Sequence, residues 1–201
     1  MIRLKELLLE YVTGTITSGD IYNFYFLFYY NQFEPNLLNT SYARDIEREY
    51  LYAIKEKYLS TFKALLAEQI NKYIGRKRMD PDFPTKQVSE TDSAETLEFL
   101  MAKTFRSDMK RRNDVWNIAA RATAQLEKIT NPKLLYAPIN ALNMAVHNTN
   151  TLILGKLGGG YGLMQAYDAC ANADPKYYVG RVSKDLRDLL KNPEPEEPPQ
   201  F

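Results

Sequence analysis

Residues 41–75 carry Ile46, Tyr50, Ile54, Tyr58, Phe62, Leu65, Ile70 and Tyr73 at helical spacing, with charged residues over the remaining positions. That pattern specifies an amphipathic helix of roughly nine turns. A helix of this length is not stable without neighbours along it. The rest of the chain must therefore supply partner surfaces, and Gly75 is the natural stop.

Other segments read as those partners. Leu4, Leu7, Leu8 and Tyr11 form one stripe of a short amphipathic helix over residues 2–12. Thr13-Gly14 and Ser18-Gly19-Asp20 then make a turn, with Ser18 or Asp20 able to cap the next segment. Residues 21–33, IYNFYFLFYYNQF, are aromatic on every side. As a strand they would put Tyr22, Phe24, Phe26, Phe28 and Tyr30 on one face, and these residue types favour strands. As a helix they would be buried all round. No partner strand stands out, and a lone strand cannot satisfy its backbone, so the helix is the preferred reading.

Beyond Gly75, residues 76–92 hold Pro81, Pro84 and mixed charge without periodicity, which reads as a long, mobile loop. Asp92-x-x-Glu95 then reads as a capping box. The helix it would open carries Leu97, Met101, Phe105, Met109, Trp116, Ala119, Ala122, Leu126 and Ile129, and ends before Asn131-Pro132. Pro138 starts or kinks another, with Ile139, Leu142, Val146, Thr149 and Ile153 on its apolar line. Residues 163–173 make a short helix, and Ser183 caps a last one with Leu186, Leu189 and Leu190. The tail, NPEPEEPPQF, has four Pro and three Glu in ten residues and is expected to be disordered. The sum is an all-α single domain over residues 1–191: a bundle of six or seven helices with one long central helix pair, followed by the tail at 192–201.

Composition closes several functional classes. One cysteine, Cys170, and one histidine, His147, exclude an intrachain disulfide, thiolate zinc clusters and His-rich metal sites. A carboxylate-rich Mg²⁺ or Ca²⁺ site stays open on composition, but Glu47, Glu49 and Glu56 lack the Glu-x-x-His arrangement of di-iron bundles and no EF-hand pattern is present, and no cofactor is expected. The net charge of +1 gives no whole-molecule attraction to nucleic acid or acidic membranes. MIRLKELLLE is too short and too charged for a signal peptide, and the most apolar window, residues 21–30, is about half the length of a spanning helix. An intracellular (cytoplasmic) or virion-associated protein without membrane contact is expected.

The stretch AVHNTNTLILGKLGGGYG, residues 145–162, suggests a phosphate cradle at first sight. A P-loop reads G-x-x-x-x-G-K-[ST] and joins a strand to a helix. Here Leu157 follows Lys156, the glycines come after the lysine, and the preceding segment is helical. Gly158 as a helix cap, with residues 159–162 as connector, is the simpler reading. Asn140, Asn143, His147 and Asn150 are harder to dismiss. Steps of three, four and three line them on one helix face, where asparagine is intrinsically unfavourable. They form either a satisfied polar seam, or a ligand or partner contact, or a catalytic face with His147 as general base. Asp108 and Arg112, four residues apart beside the stripe of their own helix, are the candidate partners of that face. No nucleophile is marked out. Lys72, Arg76, Lys77 and Arg78 form one basic cluster, and Lys110, Arg111 and Arg112 with Arg106 another; together they could contact phosphates, although Asp80, Asp82, Asp108 and Asp114 dilute the field.

The opening MIRLKELLLE resembles the first residues of many small proteins of tailed bacteriophages, and KTFRSDMKRRNDVWN, AVHNTN and VSKDLRDLL are similar in style to proteins of that origin. The resemblance implies a virus-encoded accessory or virion-associated protein and carries no site residues. Fifteen Tyr and nine Phe without a catalytic constellation favour a non-enzymatic helical interaction protein, self-associating or with a protein partner. The alternatives are a nucleic-acid-associated factor using the basic clusters and an enzyme centred on His147.

Overall fold

A computed structural model describes residues 15–33, 41–75, 83–104, 110–149 and 160–172. The expected helices at 2–12 and after Ser183, the turn at Thr13-Gly14, the glycine cap at 158 and the tail lie outside them. Among the described residues there are six α-helices and no strand: α1 (Ser18–Phe33), α2 (Ser41–Asn71), α3 (Ala94–Lys103), α4 (Lys110–Lys128), α5 (Tyr136–Thr149) and α6 (Gly160–Asn172), with a 3₁₀ turn at Pro132–Leu134. The all-α class stands. Contacts divide the chain into two compact units, Met1–Ile54 with Tyr161–Phe201, and Lys55–Gly160, so that α2 contributes to both.

In the first unit, the aromatic segment is the helix α1. Ile21, Phe24, Phe26 and Leu27 are buried, and Tyr22, Tyr25, Phe28 and Tyr29 are half-buried, so no side of it from 21 to 29 faces water fully. Phe24 stacks on Phe28 at 6.0 Å and meets Tyr25 edge-on at 5.2 Å. The cap is neither Ser18 nor Asp20 but Thr17. Asp20 N–H donates to Thr17 Oγ1 at 3.3 Å, while Asp20 Oδ2 accepts from Thr17 N at 2.7 Å. This is a reciprocal capping box, in which Asp20 serves as its returning acid.

In α2, every expected stripe position from Ile46 to Ile70 is buried. Its end tightens through Tyr73 N–H to Ile70 O at 2.9 Å, and Gly75 takes a φ of 79°, the left-handed conformation that favours glycine.

The second unit sets α3, α4 and α5 together. α4 packs along α3 on one side and along α5 on the other. The single helix expected from 93 to 130 is two helices. Thr104 closes α3: its N–H and its hydroxyl both reach Met101 O, at 3.2 and 2.7 Å. A β-branched hydroxyl that takes the carbonyl of the preceding turn competes with helix continuation. Phe105 and Met109, expected on the stripe across this break, lie outside the described residues. The cap of α3 is also corrected. Ser93, not Asp92, accepts from Thr96 N, at 3.2 Å. Asp92 instead accepts from Ser89 N at 2.8 Å, and Glu95 pairs with Lys128 at 3.3 Å. Pro138 is the third residue of α5, inside the first turn, where the missing N–H costs nothing. Gly160 and Gly162 belong to α6 rather than to a connector.

Candidate functional site

The polar face of α5 is where the sequence points first. Asn143 is fully buried and its Oδ1 accepts the phenol proton of Tyr58, itself fully buried, at 2.7 Å. The face therefore begins as a hydrogen-bonded seam between α2 and α5. Asn140, one turn before, is half-buried. His147 lies on α5 and Arg112 on α4, with side chains outside the described residues, and Asp108 and Asn150 lie outside them altogether. Of the basic clusters, Lys72 is exposed and paired with Glu68 one turn earlier at 3.0 Å. Lys110 and Arg111 are on the first turn of α4, with side chains outside the described residues, as are Arg76, Lys77 and Arg78 entirely.

Among the described residues, part of the aromatic density goes into the core. Phe24, Phe26, Tyr50, Tyr58 and Phe62 are core residues. The large apolar side chains that face water among the described residues are Phe99 (58% exposed), Ile118 (51%), Leu134 (58%) and Met144 (47%), all in the second unit.

A second polar cluster escapes sequence reading. Glu127, in the last turn of α4, accepts from Lys63 Nζ at 2.9 Å and from Ala94 N at 2.9 Å. Lys55 Nζ donates to Ile129 O at 2.7 Å, just past the end of α4. A carboxylate thus meets the positive end of α3, and an ammonium the negative end of α4. Burial is the largest single influence on the Glu127 carboxyl and pushes its pKa up. The Lys63 hydrogen bond, the Ala94 amide and the charges of Lys63 and Lys55 together outweigh it, leaving the pKa below the usual glutamate value.

These side chains line an open cleft of about 350 Å³ with Glu56, Leu59, Ser60 and Glu90. A general acid or base near neutrality needs a pKa moved toward 7, and Glu127 is moved away from it. The cluster is built as a clamp on two helix ends. One signal of it is legible in the sequence: an acid in a helix's last turn opposes that helix's own dipole, so Glu127 needs a partner from elsewhere.

No group of three or more His, Cys, Asp or Glu among the described residues is placed to hold a metal ion, and no described helix is long and apolar enough to cross a membrane. Comparison with protein-family models, curated proteins and solved structures returns no match.

Proposed function

We propose that this chain is a non-enzymatic helical interaction protein that associates with copies of itself, in keeping with the accessory or virion-associated role that its resemblance to tailed-phage proteins implies. The observation that carries the reading is the exposure of Phe99, Ile118, Leu134 and Met144 on one compact unit. Large apolar side chains left in water on successive elements are what an association surface requires. Of the polar residues that suggested chemistry, Asn143 is engaged inside the protein with Tyr58; Glu127, a polar group of the second cluster, is engaged with Lys63 and Ala94 N. Lys72, the described member of the first basic cluster, is paired with Glu68.

Sedimentation velocity of the full chain over a wide concentration range tests the reading. The weight-average mass should rise with concentration. The mass of a single chain at every concentration would overturn it.

A further inference from the structure

We propose that α3 and α4 open into one continuous helix, and that two copies of the chain exchange halves through it. The inference rests on the self-association reading above, though not on its apolar surface. The sequence carries no stop where α3 ends. Residues 103–110, KTFRSDMK, contain neither Gly nor Pro, the residues that ordinarily end a helix. The apolar line of Leu97, Met101, Phe105 and Met109 runs on at steps of four and reaches Trp116 seven residues later. A single helix through these positions keeps one apolar side across the join. What closes α3 is one residue. Thr104 is buried with helical dihedrals, φ −66° and ψ −17°, and its N–H and hydroxyl both reach Met101 O, at 3.2 and 2.7 Å. Its backbone is already that of a helix, so continuation requires that Met101 O be given up to the amide of residue 105.

The register of α3 on α4 says what an opened helix would meet. Glu95 pairs with Lys128 at 3.3 Å and Glu98 Oε1 lies 3.9 Å from Arg121 Nε, so the two helices run antiparallel. The midpoints of these pairs fall between residues 109 and 112. One helix from Ala94 to Lys128, about 50 Å long, therefore matches a second copy of itself about a two-fold axis near residue 110. There α3 of each copy lies on α4 of the other, and both ion pairs re-form between chains. Phe105 and Met109 come beside the axis, level with Trp116 and Arg112 of the second copy.

The contacts that tie α2 to the end of α4 and to α5 are remade in the same way. They are Lys63 with Glu127, Lys55 with Ile129 O, and Tyr58 with Asn143. An exchange of this kind keeps the contacts of the closed chain and adds those at the axis, so its cost is confined to the join. A second copy is the partner that brings the surface to which α4 is already fitted. Because the shared contacts are those of a core rather than of a surface patch, the exchanged dimer should separate slowly.

The test uses the full chain with Cys170→Ser, Glu95→Cys and Lys128→Cys, held at high concentration and then separated by size exclusion. A short bismaleimide should join two chains in the dimer fraction and stay within one chain in the monomer fraction, as read on a denaturing gel. In the chain without these cysteines, Thr104→Ala should strengthen dimerisation about fivefold, because Ala favours the helix in both copies. Ser107→Gly should weaken it severalfold and Ser107→Pro about a hundredfold or more, for the opposite reason. A dimer whose linker stays within single chains, or whose strength follows neither Thr104 nor Ser107, would overturn the exchange and leave the self-association reading standing. A wild-type chain that stays single at every concentration would overturn both.

Discussion

Tyr58 and Asn143, eighty-five residues apart in the chain, share a buried hydrogen bond of 2.7 Å. It joins the long helix α2 to α5 and accounts for one asparagine that helix propensity alone does not explain. Removing the phenol leaves Asn143 Oδ1 without this donor in a place where water is excluded. Tyr58→Phe should therefore destabilise the protein by about 1–3 kcal/mol in urea unfolding. Pairing it with Asn143→Leu removes both polar groups, so the double variant should lose less than the sum of the two single losses. Strict additivity would show that the bond contributes nothing beyond its parts.

Glu127 gives the pH dependence. Its folded pKa is depressed, so the stability it contributes is present above the unfolded glutamate pKa and is lost as pH falls through the folded value. Glu127→Gln should cost about 1–2 kcal/mol at neutral pH, because the half-buried Lys63 loses its charged partner. The difference between wild type and variant should hold above about pH 5 and shrink steadily below pH 4. Denaturant melts at several pH values measure this. A gap that widened in acid would contradict the sign.

Patterns internal to one segment are legible in the residues; relations between segments are not. The stripe of α2 and the all-round burial of α1 follow from apolar spacing, which backbone geometry converts directly into faces. The Asn143 seam is legible as a need for partners, but Tyr58 is hidden among six other stripe residues of α2. Glu127, Lys55 and Lys63 escape because hydrogen bonds spanning 33 to 74 residues leave no periodic trace. The caps shift for a local reason: Thr17, Ser18 and Asp20, or Asp92 and Ser93, are near-equivalent cap residues, and a shift of one position is decided by which hydroxyl or carboxylate the loop orients.

The choice between neighbouring caps can be measured. Ser93 accepts from Thr96 N, whereas Asp92 closes the turn onto Ser89. Ser93→Ala should cost about 1 kcal/mol, the usual loss for a helix cap. Asp92→Ala removes only an exposed turn contact and should cost less, about 0.5 kcal/mol or under. Thermal or urea unfolding of the two variants separates them. The reverse order would restore Asp92 as the cap.

Asn71 makes the sharpest local prediction. Its amide reaches Val88 in both directions, Nδ2 donating to Val88 O at 2.8 Å and Oδ1 accepting from Val88 N at 2.9 Å. A side chain thereby imitates a paired strand and fastens the segment before α3 to the end of α2. Phe83, buried at the start of that segment, supplies an apolar anchor five residues away. The two fastenings differ in kind. Asn71→Asp keeps the acceptor but replaces the donor with a second acceptor facing Val88 O, so it should loosen the segment more than Asn71→Ala does. Because loops open locally at lower free energy than the core, the effect should appear as faster amide exchange at Val88 and its neighbours, with Tyr58 and Leu126 in the core little changed. Uniform acceleration across both α2 and α4 would show instead that Asn71 supports the whole unit, and that the segment is part of its cooperative core.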